Sequence, residues 1–563
     1  MEATDTERSF EKGSGTADIQ NRQLQVEGDH GEVLENTGEK AEQPSSKSLA
    51  VIVLGLGTAM FLASLDSTIV STAMPTIAQN FNSLSMITWV ATSYMLTSTA
   101  LQPLYGTLSD IFGKKTMLLF CIIVFELASL GCGLSHNMIM LIIFRGVAGV
   151  GGAGIFVMVT LCISQLVPIR ERGKYMGILG AVFGLSSVLG PLLGGLFTDK
   201  VSWRWCFYIN LPLAALCIPT VMFLIKMERP KGGIVSKLKR IDLLGALVFV
   251  AGCIMILLAL TWGGTTYSWS SGIILGMLLG GFAILVVFVF IELKVSREPM
   301  IKMELFVMRN PVLLFSSQFC AGVGMYSLIY YIPIYYHTVY NGSATKQGLF
   351  LLPMMLSLVV GSVGSGWVSS KTGKYRILIW IGMAIFSVGV GLFLTLKLST
   401  SRAVQNIFMI IAGFGLGMAM QLMTIAIQAC VPLRLVTGAT TLITFCRVIG
   451  GTIGLAIASA VYNTVVKSKL ADFSAANPDY SKLASSVMNN SSLAFSSGVP
   501  LDIREKISQC FMSGVHSVFL VSTPFACIGF FALLFLKSYP MSLGVQDSQK
   551  TTQEVSEKTA QEV

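Results

Sequence analysis

Long apolar stretches alternate with short polar segments along the chain, from about residue 48 to residue 537. A helix of about 20 apolar residues, at about 1.5 Å per residue, crosses the roughly 30 Å hydrocarbon core of a bilayer. Because a backbone in lipid must satisfy its own polar groups, each stretch is predicted to be a helix. The fourteen predicted spans, numbered in chain order, are residues 48–73, 86–107, 116–134, 138–164, 174–198, 204–226, 242–262, 272–292, 311–336, 345–369, 376–396, 405–428, 437–464 and 515–537.

The composition agrees with this pattern. Hydrophobic residues make up 53% of the 563 residues and charged residues only 12%, with a mean hydropathy of +0.71. The surface of a soluble domain carries about 25–35% charged residues, so this chain has too few to cover one. We therefore predict an all-α polytopic membrane protein.

The positive charge is distributed unevenly between the loops. The loops that follow even-numbered spans carry nineteen Lys and Arg residues, whereas the short loops that follow odd-numbered spans carry five. The positive-inside rule places the more basic loops, and with them both termini, in the cytoplasm. The formal charge of +10 is therefore explained by topology, and it does not indicate a nucleic-acid partner.

The spans divide as six, two and six. A basic stretch separates the first six from spans 7 and 8, and a long polar segment of about 465–514 precedes the last span on the predicted extracellular side. The predicted divisions are a disordered cytoplasmic tail (1–47), an N-terminal six-helix bundle (48–226), a basic loop with two additional helices and a linker (227–310), a C-terminal six-helix bundle (311–540) and a cytoplasmic tail (541–563).

Three Asn residues stand in sequons for N-glycosylation, namely Asn341, Asn489 and Asn490. All three lie in loops that the charge pattern places outside the cell. A sequon is glycosylated only on the lumenal or extracellular side, so the sequence predicts a glycoprotein with this topology.

Two ionisable residues inside the spans are candidates for proton coupling. Asp66 lies in span 1 and Arg145 in span 4, and charged groups at such positions are costly and mark functional sites by default. The alternative is that each is a buried group that only fixes helix packing. Glu126 in span 3 and Arg447 in span 13 are further candidates of the same kind.

Glycine patterns indicate two conformational elements. After span 2, a tight turn with charges that latch neighbouring helix ends is predicted, the alternative being a solvated loop that only sets topology. In span 5, a proline kink with small residues around it favours the movement of one bundle against another. The residues concerned are Gly106, Asp110, Gly113, Lys114 and Lys115 in the loop, and Gly177, Gly190, Pro191, Gly194 and Gly195 in span 5.

Uncharged amides and aromatic residues suggest a cavity for a bulky, mostly apolar solute. Tyrosines near a helix end are also typical of an interfacial aromatic belt, so both interpretations remain open for the tyrosines. The candidates for the cavity are Gln318, Tyr326, Gln421, Gln428 and Arg447.

Enzymatic chemistry has no support in the sequence. The cysteines lack a CxxC spacing and the four histidines are scattered, so no metal site is predicted. A phosphate-binding loop for ATP is also missing. We expect a transporter that needs no cofactor and is driven by an ion gradient.

The chain resembles the major facilitator superfamily, and within it the fourteen-span drug:proton antiporters and their fungal members that export toxins and secondary metabolites. The resemblance covers about 48–540. It departs from the family pattern at Ile111, where many members have a base, and at Ser186, where the pattern has glycine. The motifs that carry it are Gly106-x-x-x-Asp110-x-x-Gly113-Lys114-Lys115 after span 2; Leu65-Asp66-Ser67-Thr68-Ile69-Val70, ending at Pro75, in span 1; Arg145-Gly-Val-Ala-Gly149-Val-Gly151-Gly-Ala153 in span 4; Gly177…Gly190-Pro191-x-x-Gly194-Gly195 in span 5; and Trp203-Arg204-Trp205…Pro212 at the start of span 6.

The resemblance implies a major facilitator fold with fourteen transmembrane helices arranged 6+2+6, working as a monomer by alternating access. It implies export of hydrophobic small molecules in exchange for protons, from the plasma membrane or, alternatively, at the vacuolar membrane. Two other functions stay open: a proton-coupled importer such as a siderophore transporter, and a membrane sensor that does not transport.

Overall fold

The computed structural model describes residues 46–83, 86–227, 230, 233–264, 266–296, 298–340, 344–489, 493, 495–496 and 499–539. The two predicted tails therefore lie outside the described residues, apart from the backbone of residues 46 and 47. The sequons at Asn341 and Asn490 also lie outside them, and Asn489 is described only as the last residue of a helix.

The described part of the chain is helical almost throughout. A short π-helix, Thr220–Leu224, continues the eighth helix, and single 3-10 turns follow the sixteenth and eighteenth. The helices are α1 Ser46–Asn80, α2 Ile87–Leu101, α3 Leu104–Phe112, α4 Lys114–Gly133, α5 Met138–Leu166, α6 Arg172–Lys200, α7 Trp205–Tyr208, α8 Asn210–Pro219, α9 Ile234–Lys239, α10 Leu243–Trp262, α11 Gly272–Lys294, α12 Glu304–Val307, α13 Arg309–Tyr340, α14 Ala344–Phe350, α15 Leu352–Thr372, α16 Tyr375–Leu392, α17 Arg402–Cys430, α18 Leu433–Ala476, α19 Ser481–Asn489 and α20 Leu501–Leu534.

Within the described residues, thirteen helical segments are long and apolar enough to cross a membrane. They correspond to every predicted span except the second. Span 2 is divided into α2 and α3, because Pro103 has no backbone N–H to continue the helix of Ile87–Leu101. Neither α2 nor α3 is long enough to cross a membrane by itself, although together they occupy the stretch predicted as span 2.

Helices pack mainly with partners from the same part of the chain. In the N-terminal part α1 packs on α6, and α5 packs on both α2 and α4; in the C-terminal part α17 packs on α15 and α16, and α13 packs on α18 and α20. The additional helices α10 and α11 pack on each other. Helix α10 also contacts α2 through Trp89 and Trp262, and α18 through Phe249 and Phe445.

One helix joins the N-terminal and C-terminal parts along much of its length. Helix α6 packs on α1 near one end and on α15 over the rest. Glycines on α6 make both approaches close: at Gly177 an added Cβ would lie 2.8 Å from the Ser362 carbonyl oxygen of α15. Small residues are what allow two membrane helices to approach this closely.

The segment 465–514, predicted as a long polar loop, is largely helical instead. Helix α18 continues to Ala476, α19 follows, and α20 already begins at Leu501. Apolar residues at helical spacing bury each other within this segment, which polar composition alone conceals. The buried members are Val466, Leu470, Phe473, Ala484, Val487, Ile503, Ile507, Cys510 and Phe511, and we call this group the outer cluster.

Candidate functional site

Asp66 and Arg145 form an ion pair in the interior of the N-terminal helices. Nη1 of Arg145 lies 2.6 Å from Oδ2 of Asp66, and the side chains are 2% and 0% exposed. Arg145 also donates from Nε to the Val90 carbonyl oxygen at 3.2 Å, and its guanidinium lies 4.3 Å from the centre of the Tyr94 ring. Removing two charges from water is compensated only by such multiple contacts.

Small residues on α5 bring these partners within reach. An added Cβ at Gly149 would overlap the Tyr94 carbonyl oxygen of α2, and one at Gly151 would lie 2.6 Å from the Cys121 carbonyl oxygen of α4. The backbones of α2 and α4 therefore lie directly against α5. This close approach places the Val90 carbonyl and the Tyr94 ring beside Arg145.

Three carboxylate oxygens near this pair have no hydrogen-bond partner among the described residues. They are Oδ1 of Asp66 and both side-chain oxygens of Glu126, which is buried in α4 and interacts electrostatically with Asp66. A carboxylate that binds Arg with one oxygen has its second oxygen available for a proton. Protonation would remove the attraction that holds Arg145, so this arrangement is chemically able to link proton binding to helix movement.

The span 5 motif lies next to the ion pair. Added Cβ atoms at Gly190 and Gly194 would overlap Thr68 and the Ile69 carbonyl oxygen of α1, directly after Asp66 in sequence. Pro191 instead faces the C-terminal part, where its ring packs near Gly348 of α14. The remaining member, Gly195, is partly exposed.

The motif after span 2 contacts the C-terminal helix α18. At Gly106 an added Cβ would lie 2.8 Å from the Thr441 hydroxyl oxygen, and Asp110 interacts with Thr437 one turn earlier. Gly113 ends α3 with a φ of 92°, in the region that favours glycine, so the chain turns sharply into α4. This end of the bundle is called the basic end, defined by Lys114, Lys115, Arg172, Lys374 and Arg434.

The two lysines of this motif differ in their surroundings. Lys115 donates to the Met222 carbonyl oxygen at 2.8 Å, which joins α4 to the π-helix after α8. Lys114 interacts electrostatically with Asp110, as do Lys302 and Arg240. The structure thus brings the charges of this motif together with groups from other segments, as a latch would require.

Two further contacts join the N-terminal and C-terminal helices at the basic end. Nη1 of Arg172 donates to Oε1 of Gln428 at 3.0 Å, and an added Cβ at Gly173 would lie 2.6 Å from the Gly366 carbonyl oxygen. Gly366 in turn leaves no space for a side chain against Gly173. The backbones of α6 and α15 touch here, so the basic end is closed.

Replacement of Gly366 by Val is expected to prevent this closure. The side chain would overlap the Gly173 backbone, and overpacking costs about 1–3 kcal/mol, which shifts a two-state equilibrium about 5–150-fold. A Cys introduced at the basic end of α6 should then react faster with a water-soluble maleimide. Gly364→Val is the matched control, because an added Cβ there meets nothing within 4 Å. Equal maleimide reactivity in G366V and G364V would contradict the view that the Gly173–Gly366 contact closes the basic end.

The five candidates for a solute cavity occupy different environments. Gln318 is buried and donates to the Met420 carbonyl oxygen at 3.3 Å, while Gln428 is buried between Arg172 and Thr440. Both side chains are enclosed between helices. Gln421 is buried beside Gly180 of α6, whereas Tyr326 and Arg447 are partly exposed and interact with each other.

Sequence reasoning overlooked Tyr94 and Val90, the partners of Arg145 on α2. A signal was available, because Val90, Tyr94 and Thr97 are spaced three and four residues apart and so share one helix face. Thr97 donates to the Gly146 carbonyl oxygen at 2.8 Å, next to Arg145 in sequence.

Membrane-length helices that enclose a buried ion pair and are joined by small-residue contacts define a multi-pass helical membrane protein. Residues 56–455 match the family description "Major Facilitator Superfamily". The chain therefore belongs to the major facilitator superfamily, and it is a transporter and not an enzyme.

Curated relatives cover most of the chain. It is 36% identical to the rubrofusarin-specific efflux pump aurT of Gibberella zeae, over 77% of this chain and 80% of that protein. It is 34% identical to the efflux pump aflT of Aspergillus parasiticus, over 78% and 86%, and 32% identical to the efflux pump dotC of Dothistroma septosporum, over 90% and 86%.

A solved structure agrees with the fold. The human organic anion transporter MFSD10 (TETRAN) matches with a TM-score of 0.54 and 12% identity, over 87% of this chain and 100% of that one. At this identity the match establishes the all-helical major facilitator fold.

Proposed function

We propose that this protein is a proton-coupled efflux pump that exports hydrophobic small molecules, such as fungal secondary metabolites, toxins or drugs, by alternating access. The relatives with efflux-pump names support export. The observation that carries proton coupling is the buried Asp66–Arg145 pair, in which one carboxylate oxygen is free to accept a proton. In this proposal Asp66 binds the proton, and its ion pair with Arg145 weakens when it does.

In the proposed cycle, protonation of Asp66 weakens its attraction for Arg145 and allows α5 and α1 to shift. The glycine contacts of α6 transmit the shift, since α6 packs both beside Asp66 and along α15. The latch at the basic end opens and closes as a result. One proton moving inward releases about 2.3 kcal/mol per 100 mV, and about 1.4 kcal/mol sustains a tenfold solute gradient.

The proposed orientation places both termini and the basic end in the cytoplasm. The protein works as a monomer in the plasma membrane, and the vacuolar membrane is the alternative location. Helix α1 has two exposed faces. Val51 and Leu54 belong to an apolar face, which we place against lipid, and Ser67 and Ser71 belong to a polar face, which we place toward the solute pathway.

The test is solute-dependent proton movement in liposomes that contain the purified protein. A pH-sensitive dye is enclosed, and a panel of hydrophobic dyes and toxins is offered from each side in turn. We expect proton movement opposite in direction to the solute, abolished by a protonophore. Empty liposomes correct for passive leakage of the solute and of protons.

The direction of movement separates the competing functions. Protons and solute moving in the same direction would identify an importer. Solute binding in the absence of any flux would identify a sensor. Either result would overturn the export proposal.

A further inference from the structure

Arg447 differs from Arg145 in having no acidic partner among the described residues. It lies in α18, about 20 Å along the helix from Leu433, and is partly exposed. Its guanidinium forms no hydrogen bond or ion pair with any residue that the structure describes, whereas Arg145 binds an acid, a carbonyl and an aromatic ring. A guanidinium at this depth is costly unless an anion, carbonyl groups or water contact it.

Arg447 faces the space between the N-terminal and C-terminal helices. The Tyr326 ring lies directly on Gly451, one turn after Arg447, so both occupy the same side of α18. Tyr326 lies close to Arg447 and also to Tyr94, which belongs to α2. Tyr326 is partly exposed, so side chains do not fill the space between these helices.

Aromatic surface continues from Tyr326, the neighbour of Arg447. The Tyr330 ring, 45% exposed, stacks nearly parallel to Tyr326, with ring centres 6.4 Å apart and planes inclined by 13°. A bound molecule would therefore meet flat apolar faces and one cation.

Acidic residues are missing from most of the C-terminal part of the sequence. The sequence contains no Asp or Glu from residue 305 to residue 471, although this stretch contains eleven Lys and Arg residues. In the N-terminal helices, Asp66 is engaged by Arg145, and Glu126 is buried in α4. The field around Arg447 is therefore positive, and an anion entering from solution would be attracted to it.

We propose that Arg447 is the anion-binding residue of the solute site, and that the exported solute carries an acidic group such as a carboxylate on an aromatic or other apolar body. The planar guanidinium binds a carboxylate through two parallel hydrogen bonds, and the tyrosine rings stack on the body. The inference rests on the proposed function only in taking the space between the helices as the solute site.

The test compares two probes that differ only in charge, 4-(1-pyrenyl)butyric acid and 4-(1-pyrenyl)butyramide. Binding of each probe to the full chain in lipid nanodiscs is measured at pH 7 by equilibrium dialysis, and empty nanodiscs give the lipid background. The variants are Arg447→Gln, which removes the charge, and Arg447→Lys, which keeps it without the planar fork. Lys467→Gln is the control, because it removes an exposed charge from the same helix outside the basic end.

We expect the wild-type protein to bind the acid at least about tenfold more tightly than the amide. R447Q should lose this preference without changing the affinity for the amide, R447K should retain part of it, and K467Q should behave as wild type. The proposal is overturned if wild type fails to bind the acid or binds both probes equally, if R447Q keeps the preference, or if R447Q weakens both probes alike. Since no proton gradient is involved, this result is independent of the flux test.

Discussion

Replacement of Asp66 by Asn is expected to reduce solute-driven proton flux to the level of empty liposomes. Asn has nearly the same shape and can still accept a hydrogen bond from Arg145, but it neither binds nor releases a proton. Solute binding should persist, because Asp66 is fully buried and its partner is Arg145. The measurement is the liposome assay described above, combined with equilibrium binding of the same solute.

The matched control is Asp199→Asn, which removes an exposed acid near the end of α6. Its flux should equal that of wild type. Proton flux that survives in D66N would remove Asp66 from the coupling mechanism and direct attention to Glu126, the neighbouring buried acid. Loss of solute binding in D66N would instead assign Asp66 a role in the solute site.

Replacement of Arg145 by Gln is expected to lower the free energy of unfolding by about 3–5 kcal/mol, because it leaves a buried carboxylate without its cation. Gln also loses the contact with the Tyr94 ring. The free energy can be measured by unfolding in mixed detergent–SDS micelles. The double variant D66N/R145Q removes both charges and should recover most of the stability, yet it should show no proton flux.

Comparison of R145Q with D66N/R145Q distinguishes a role of the ion pair in stability from a role in proton coupling. A double variant that is stable but inactive would mean that the charges serve transport and that the fold does not require them. If the double variant were as unstable as R145Q, the ion pair would be needed for packing. An R145Q protein with wild-type stability would contradict the desolvation argument itself.

Much of the fold follows from hydropathy, because a membrane helix must be both long and apolar. Thirteen predicted spans correspond to helices within a few residues at most ends. Two spans are interrupted. Span 2 is divided at Pro103, and span 10 is divided into α14 and α15 near Leu351. In the 465–514 segment, the end of α18, the short helix α19 and the start of α20 bury their apolar residues against each other, which average hydropathy does not reveal.

The candidate site was predictable by residue type but not by contact. Asp66 and Arg145 were recognisable as costly charges, whereas their pairing depends on the register of two helices, since the two residues are 79 positions apart in sequence. The same holds for the amides. Gln318 and Gln428 were recognisable as polar side chains within the spans, whereas their partners, the Met420 carbonyl and Arg172, lie 102 and 256 positions away in sequence.

The length of helix α18 would amplify any movement at the basic end. It continues without a break for 44 residues, about 66 Å, from the closed basic end through the level of Arg447 to the outer cluster. A tilt of about 10° at its first turn would move its far end by about 11 Å over that length. The outer cluster ties this far end to α20, so both helices would swing together. A small rearrangement at the proposed latch would thereby produce a large displacement at the far end of α18.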